Sequence, residues 1–415
     1  MRSRFLLGPL LALASLLGWP QQVGQARPVA IPVAQACAGV HQDVSRPLPD
    51  LGAAEYVRMD GQATGYLGGL YPDGSNVPPP AHAAAGLEAA AQIVPLSADG
   101  DPDPIAGRIV MISVGMSNTR IEFQAFIDLG YRDPDINPFL TIVNASQGGQ
   151  TADLWVDPVA STWVEVDARL RQAGVTPMQV QVVWVKQTLP HGGDFPGKAR
   201  RLQAALGDIV RNLKARYPNV RIVFLSSRTR SYLYDIGISP EPTAFETGFA
   251  VRWLIEDQIN GDPSLNFDPG KGEVVAPFLA WGPYLWIDGM NPRSDALVWT
   301  PEDLIQDCTH PSPSGEVKVA NLLMSFFKTD RLATGWFLAR SAQPSPEPTQ
   351  VPTEASTPRP ARTTSPTPRP TATVSPRIID DPTPGTRSAG TALIGGGVMV
   401  FALVAGHLLQ RARRG

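Results

Sequence analysis

Short apolar runs, separated by longer stretches with helical spacing, dominate the chain from residue 107 onward. An apolar run bounded by turn signals is typical of a strand that is buried on both faces of a parallel sheet. Four such runs predict four strands: Arg108–Val114, Leu140–Val143, Gln179–Val185 and Arg221–Leu225. Strands that alternate with helices favour an α/β sandwich built on a parallel sheet.

Helix-forming stretches precede, separate and follow these runs. The predicted helices are Ala81–Gln92, Ile121–Leu129, Lys198–Arg216, Gly248–Asn260 and Gly315–Phe327. The last of them should pack back on the sheet, because it follows the final loop of the globular part.

Each predicted strand ends in a cluster of polar residues. The clusters are Gly115–Asn118, Asn144–Gly149, Lys186–Gln187 and Ser226–Arg228. Open α/β sheets bind ligands along the edge where the carboxyl ends of the strands meet. The sequence therefore predicts a functional site at this edge.

Residues 229–305 fit the alternation poorly and are interpreted as an insertion or lid near the site. This segment is rich in turns and carries Trp281, Tyr284 and Trp286. Exposed aromatic rings there would suit sugar stacking or an apolar acyl chain, whereas buried rings would serve packing.

The N-terminal region divides into two segments. Residues 1–26 combine a basic start, an apolar run and small residues before a cleavage point, which is typical of a secretory signal peptide. A retained membrane anchor is the alternative. Residues 27–104 are rich in Ala, Gly and Pro and predict an irregular N-terminal extension ahead of a main domain at residues 105–340.

The C-terminal region predicts attachment to a membrane. Residues 341–387 are rich in Pro, Thr and Ser and predict a disordered, extended stalk. Residues 389–409 carry no formal charge and predict one transmembrane helix, with a globular core helix as the alternative. The basic tail at residues 410–415 should be cytoplasmic, which places the body outside the cell, anchored at its surface.

Composition excludes some functions. The formal net charge of −3 and the absence of a basic run in the body argue against nucleic acid as a partner. No cysteine or histidine spacing is typical of a metal site, and nothing implies a cofactor.

The two cysteines, Cys37 and Cys308, allow one disulfide or two separate thiols. The oligomeric state is not predicted.

One short stretch near the end of the body carries acid–base chemistry. Among five histidines, only His310 has a carboxylate three residues before it, Asp307. Such a carboxylate can orient the imidazole ring, which then takes a proton from a nucleophile. Ser117, in the first polar cluster, is the candidate nucleophile for an ester carbonyl.

The polar clusters together resemble the catalytic blocks of the SGNH (GDSL-type) hydrolases, over roughly residues 107–328. Gly115-Met116-Ser117 is similar to the first block, although Met116 replaces the family aspartate. Asn144, Gly149 and Thr151 are similar to the second block, and Asp307-x-x-His310-Pro311 matches the last. The resemblance implies a flavodoxin-like α/β/α sandwich and a serine esterase without a cofactor.

The resemblance also assigns the oxyanion donors. They would be the backbone N–H groups of Ser117 and Gly149 and the side-chain amide of Gln187, which stands where the family usually has an asparagine. Asn118, Arg120 and Arg228 lie close to strand ends and are possible substrate-binding residues.

Two functions fit these observations. The first is a cell-surface serine esterase that hydrolyses a small-molecule or glycan ester, such as an acetylated carbohydrate. The second is a surface binding or adhesion module on a degenerate SGNH fold, which would explain the altered third block, Met116 and the aromatic segment.

Overall fold

The computed structural model describes Cys37, residues 41–234 and residues 236–339. The predicted signal peptide (1–26), stalk (341–387), transmembrane helix (389–409) and basic tail (410–415) lie outside these residues. Within the described part, no helix has both the length and the apolar character needed to cross a bilayer.

Seven strands and eight α-helices are labelled here in chain order. The strands are β1 Glu55–Val57, β2 Ala63–Leu67, β3 Ile109–Gly115, β4 Leu140–Val143, β5 Val180–Lys186, β6 Ile222–Leu225 and β7 Phe278–Trp281. The α-helices are α1 Leu48–Leu51, α2 Pro80–Ala91, α3 Ser117–Gly130, α4 Ser161–Gln172, α5 Gly197–Arg216, α6 Thr243–Ile259, α7 Pro313–Thr329 and α8 Thr334–Phe337. Short 3₁₀ turns span Pro72–Gly74, Ala152–Leu154, Pro177–Gln179, Pro263–Leu265, Pro269–Lys271 and Pro301–Asp303.

Strands β3 to β7 form one parallel sheet in the order β4-β3-β5-β6-β7. Counted from the first strand of this sheet, the order is 2-1-3-4-5. Strand β3 lies between β4 and β5, with Ile112 opposite Val143 on one side and Val183 on the other. The loops that follow β4 and β5 therefore flank the loop that follows β3.

Helices cover both faces of the sheet because alternate strand residues point to opposite faces. Val110 and Ile112 belong to the apolar cluster that includes residues of α4, α5 and α6. Ile109 and Met111 belong to a second cluster, which includes residues of α3, α7 and α8. The prediction of a mixed α/β class with a parallel sheet is confirmed.

The four predicted strands are all present, within one residue of their predicted ends. The apolar pattern did not reveal the hairpin β1–β2, the helix α4 or the fifth sheet strand β7. Strand β7 lies inside the range interpreted as an insertion, residues 229–305. It has only four residues between Pro277 and Gly282, so its local signal is that of a turn-rich segment.

The aromatic rings of that segment serve packing. Trp281, Tyr284 and Trp286 are all buried. The indole N–H of Trp286 donates to Glu241 Oε1 over 2.9 Å, and the phenol oxygen of Tyr284 accepts from the backbone N–H of Leu48 over 3.2 Å. Buried packing, the second alternative above, is therefore confirmed, and these rings do not offer a sugar-stacking surface.

The N-terminal region packs on helix α6. Tyr56 is fully buried, and its ring centroid lies 4.8 Å from that of Phe245 and 5.4 Å from that of Phe249. The Tyr56 hydroxyl donates to Glu246 Oε1 over 3.1 Å, and Arg58 forms an ion pair with the same carboxylate. A buried acid thus lies between the N-terminal hairpin and the sheet domain.

Glu246 should make the stability of the fold depend on pH. Burial raises the pKa of Glu246 to about 7, although Arg58 and Tyr56 act in the opposite direction. A carboxyl group with a raised pKa stabilises the folded chain fully only below its unfolded pKa, and this contribution is lost as the pH rises through about 7. We expect the stability of the wild-type protein relative to Glu246→Gln to fall by up to about 3 kcal/mol between pH 4 and pH 8.

Denaturant unfolding of both proteins across this pH range measures the effect. Glu88→Gln, at an exposed carboxylate on α2, is the matched control and should show no such trend. A pH profile of Glu246→Gln that is parallel to the wild-type profile would contradict the assignment.

Candidate active site

The candidate nucleophile stands at a tight turn from strand to helix. Strand β3 ends at Gly115, and Ser117 is the first residue of helix α3. A Cβ atom at Gly115 would lie 2.3 Å from Thr119 Oγ1, so only glycine permits the helix to start this close to the strand. Ser117 consequently sits at the positive end of the α3 dipole, where negative charge is stabilised.

Three side chains form a continuous chain of hydrogen bonds. Ser117 Oγ lies 2.7 Å from His310 Nε2, and His310 Nδ1 lies 2.6 Å from Asp307 Oδ2. One imidazole nitrogen thus faces the serine while the other faces the carboxylate. This arrangement allows His310 to take the Ser117 proton while Asp307 stabilises the imidazolium that forms.

The carboxylate is held in its ionised form by local donors. Asp307 Oδ1 accepts the backbone N–H groups of Thr309 over 3.0 Å and His310 over 2.9 Å. Burial raises the pKa of Asp307, but these two N–H groups and the His310 ring outweigh burial and lower the pKa below its usual value. Asp307 therefore remains an acceptor across the neutral range.

A disulfide anchors the loop that carries both residues. Cys37 and Cys308 are bonded, so the first of the two alternatives for these cysteines is confirmed. Cys308 has a φ of 57°, in the left-handed region that side chains rarely adopt. Its carbonyl accepts the N–H of Tyr232 over 2.9 Å, and Ile305 donates to the His310 carbonyl over 2.9 Å. The turn between the acid and the base is thus fixed from several sides.

Asn118 connects this loop to the nucleophile helix. Its side chain is fully buried, and its Nδ2 donates to the Thr309 carbonyl over 2.8 Å. The residue after Ser117 therefore holds the residue before His310. The Asn118 amide is thus engaged with the loop, and its part in substrate binding stays a prediction.

The two arginines proposed for substrate binding differ. The Arg228 side chain follows β6 and is only 2% exposed, and its part in substrate binding stays a prediction. Arg120 lies in the first turn of α3 and is exposed. Its carbonyl accepts from Asn144 Nδ2 over 2.8 Å, while its guanidinium makes no ion pair with the described residues. Arg120 thus remains free to meet an anionic group.

Two of the candidate oxyanion donors, Gly149 and Gln187, follow the strands on either side of β3. Gly149 lies in the exposed loop after β4 with a φ of 75°, and no described residue accepts its backbone N–H. Gln187 follows β5 and is 3% exposed. Its Nε2 donates to the Gln150 carbonyl over 3.3 Å, which brings the ends of the two loops together.

Sequence reasoning missed the residues that hold the site rather than form it. Thr119 donates its hydroxyl to the Lys186 carbonyl over 2.8 Å, and Tyr232 holds the Cys308 carbonyl. Neither contact can be recognised from the local sequence, because each joins residues that are at least 67 positions apart in the chain. The described residues contain no cluster of His, Cys, Asp and Glu that could hold a metal ion.

Comparisons with known proteins found only distant structural likenesses. No protein-family model matches the sequence, and no curated protein matches it significantly. A protein from Bacteroides fragilis, for which an acylhydrolase activity has been suggested, is 13% identical, with 60% of this chain and 97% of that chain covered and a TM-score of 0.31. A carbohydrate acetylesterase from Xanthomonas citri is 10% identical, with 55% and 56% covered and a TM-score of 0.32.

A protein from Arabidopsis thaliana is 13% identical, with 45% of this chain and 61% of that chain covered and a TM-score of 0.24. The chain therefore spans less than two thirds of the length of the plant and Xanthomonas proteins. At these scores the likenesses are too distant to assign a family or an activity.

Loss of the disulfide should loosen the loop between Asp307 and His310. The bridge closes a stretch of 271 residues, and removal of a native disulfide typically costs about 2–5 kcal/mol. We expect Cys37→Ser/Cys308→Ser to unfold at lower denaturant concentration and to exchange the Tyr232 amide hydrogen faster, because that amide is bonded to Cys308.

Thiol titration of the unfolded wild-type protein supplies the control and should detect thiols only after reduction. Equal stability and equal amide exchange in the two proteins would contradict an anchoring role for the bridge.

Proposed function

We propose that this protein is a serine esterase that hydrolyses carboxylic esters through Ser117, His310 and Asp307. The observation that carries the proposal is the continuous contact from Ser117 Oγ to His310 Nε2 at 2.7 Å and from His310 Nδ1 to Asp307 Oδ2 at 2.6 Å. These are hydrogen-bond distances for a nucleophile, its base and the group that orients the base.

The reaction has two halves. His310 takes the proton of Ser117 Oγ as the oxygen attacks the ester carbonyl, and then gives that proton to the leaving alcohol. In the second half, His310 takes a proton from water as the water oxygen attacks the acyl-serine. His310 then returns the proton to Ser117 Oγ, and the acid is released. The oxyanion formed in each half is to be met by the N–H groups of Ser117 and Gly149 and by the amide of Gln187.

We also propose membership of the SGNH superfamily. The strand order 2-1-3-4-5 is that of flavodoxin-like sandwiches, as the resemblance of the catalytic blocks implied. Ser117 and Gly149 follow adjacent strands of this sheet, and the Asp307–His310 loop precedes the final long helix, α7. Both features support the register of the blocks assigned from the sequence.

A small acyl group on a polar alcohol suits this site best, and an acetylated carbohydrate is the proposed substrate. The triad is open to solvent, with the His310 side chain 28% and the Asp307 side chain 45% exposed. Four cavities of about 280–430 Å³ in the described part of the chain are lined by other residues. An open site admits a bulky glycan and does not enclose a long acyl chain. Exposed Arg120 would meet an anionic sugar.

The proposed location is the outer surface of the cell. The disulfide supports an oxidising compartment, because cytosolic thiols are generally kept reduced. Anchoring by residues 389–409 rests on their apolar sequence alone.

The alternative function is a binding module on a degenerate fold. Such a module would not require the hydrogen-bonded chain from Ser117 through His310 to Asp307, and catalysis is therefore preferred.

Substitution of the nucleophile tests the proposal. Full-length protein in detergent is assayed with short-chain p-nitrophenyl esters and acetylated glycans. We expect Ser117→Ala to lower kcat by at least about 10³-fold and to abolish labelling by a fluorophosphonate, since covalent catalysis requires the hydroxyl.

His310→Gln should have a comparable effect on kcat, while Arg132→Gln, in the exposed loop after α3, serves as the control. Ester hydrolysis that survives in Ser117→Ala would refute the assignment.

Gln187 tests the oxyanion hole. If its amide donates to the oxyanion, Gln187→Ala should lower kcat by about 10²–10³-fold with little change in KM, because the donor acts in the transition state. Steady-state kinetics on the same ester measures this. Unchanged kcat in a folded variant would assign the Gln187 amide to its contact with Gln150 alone.

A further inference from the structure

A fully buried ion pair lies behind the candidate nucleophile. Glu122, in the second turn of α3, pairs through Oε2 with the ammonium of Lys186, the last residue of β5. Both side chains are 0% exposed. Transfer of two charges from water into a protein interior is costly, and apolar residues of similar size often give equal stability. The presence of the pair here calls for a role other than stability.

The pair joins the two elements that carry the proposed chemistry. Ser117 lies five residues before Glu122 on the same helix, and Gln187 directly follows Lys186. Lys186 is also the register partner of Gly115, the residue from which the nucleophile turn starts. A shift of α3 along the sheet would therefore have to break the pair.

A second contact also joins helix α3 to strand β5. The Thr119 hydroxyl donates to the Lys186 carbonyl over 2.8 Å, so α3 holds Lys186 through both its main chain and its side chain. Two contacts, at the first and second turns of the helix, fix its rotation as well as its distance from β5. The position of Ser117 relative to Gln187 follows from both.

The surroundings of the pair are strongly charged. Burial lowers the pKa of Lys186 to about 8, with Glu122 opposing this and Arg228 adding to it. The Arg228 guanidinium is itself buried, and its Nε and Nη1 have no hydrogen-bond partner among the described residues. Glu122 is the ion-pair partner of Lys186, and Glu122 and Glu241 both favour the charged form of Arg228, so loss of Glu122 would leave Lys186 without its counter-ion.

We propose that Glu122 and Lys186 are positioning residues, whose ion pair sets the distance between the nucleophile Ser117 and the oxyanion donor Gln187. The inference rests on the proposed esterase function. Displacement of reacting groups by about 1 Å can lower a rate by about 10²-fold, so a pair that never touches substrate can control kcat.

The test compares Glu122→Gln, Lys186→Met and the double variant with the wild-type enzyme, as full-length protein on one p-nitrophenyl ester. Each single variant should lower kcat by about 10–100-fold and change KM by less than about threefold. Because the two residues act as one unit, the double variant should lose no more than the worse single variant. The rate of fluorophosphonate labelling at Ser117 should fall in parallel.

Asp167→Asn supplies the matched control. Asp167 pairs with Arg216 between α4 and the end of α5 that leads into β6, at the opposite edge of the sheet from Ser117. This variant should lose stability but keep kcat when assayed well below its unfolding temperature. Glu122→Asp and Lys186→Arg keep both charges and alter only the reach of the pair. They give the same kinetic comparison if the neutral variants do not fold.

The outcomes separate the two proposals. A wild-type protein that neither hydrolyses esters nor reacts with fluorophosphonate refutes the esterase and the inference together. An active wild-type protein whose Glu122 and Lys186 variants, including the charge-retaining ones, keep kcat and the labelling rate refutes the inference alone.

Discussion

The position of β3 between β4 and β5 is the constraint on which the rest of the site depends. Parallel strands bring their carboxyl ends to one edge, so the residues after three neighbouring strands meet without any special loop. Ser117 takes the middle place, with Gly149 on one side and Gln187 on the other. The apolar strand residues that build the core thereby also set the order of the groups at the surface.

The proposed base His310 and its carboxylate partner Asp307 are positioned in a different way. They lie on a loop that belongs to no strand, and a loop can hold a 2.7 Å contact to another element only when it is restrained. Here the restraint is distributed among the bond to Cys37, the amide of Asn118 and the main chain of Tyr232. Each of these restraints acts on Cys308 or Thr309, within two residues of His310. The backbone that carries the imidazole can therefore move little.

The sequence predicted those parts of this structure that depend on local pattern. Four apolar runs stand in a regular alternation with helices and indicate strands, and the Asp307–His310 spacing is short enough to be recognised as a pair. Strand β7 is as short as β4, but it was missed because it lies between Pro277 and Gly282 in a turn-rich segment outside that alternation. Helix α4, which has charged residues along much of its length, was missed as well.

Burial was the property that sequence reasoning could not supply. Asn118 and Arg228 are polar residues beside strand ends, and their types suggested contact with a ligand. Both are buried and contact segments more than 15 residues away in the chain: Asn118 Nδ2 donates to the Thr309 carbonyl, and the backbone N–H of Arg228 donates to the Thr247 hydroxyl. The pairing of Cys37 with Cys308 was open for the same reason, since only the fold determines which distant segments meet.

The distance between the bridged cysteines has a consequence for the order of events in the life of the chain. A ribosome makes Ser117 early, but the proposed base, His310, emerges 193 residues later. The bridge can form only after Cys308 has been made, so it closes around most of the described body. Once closed, the bridge also protects the body against fragmentation. A single proteolytic cut anywhere between residues 37 and 308 leaves the two fragments covalently joined, with Ser117 and His310 still in one molecule.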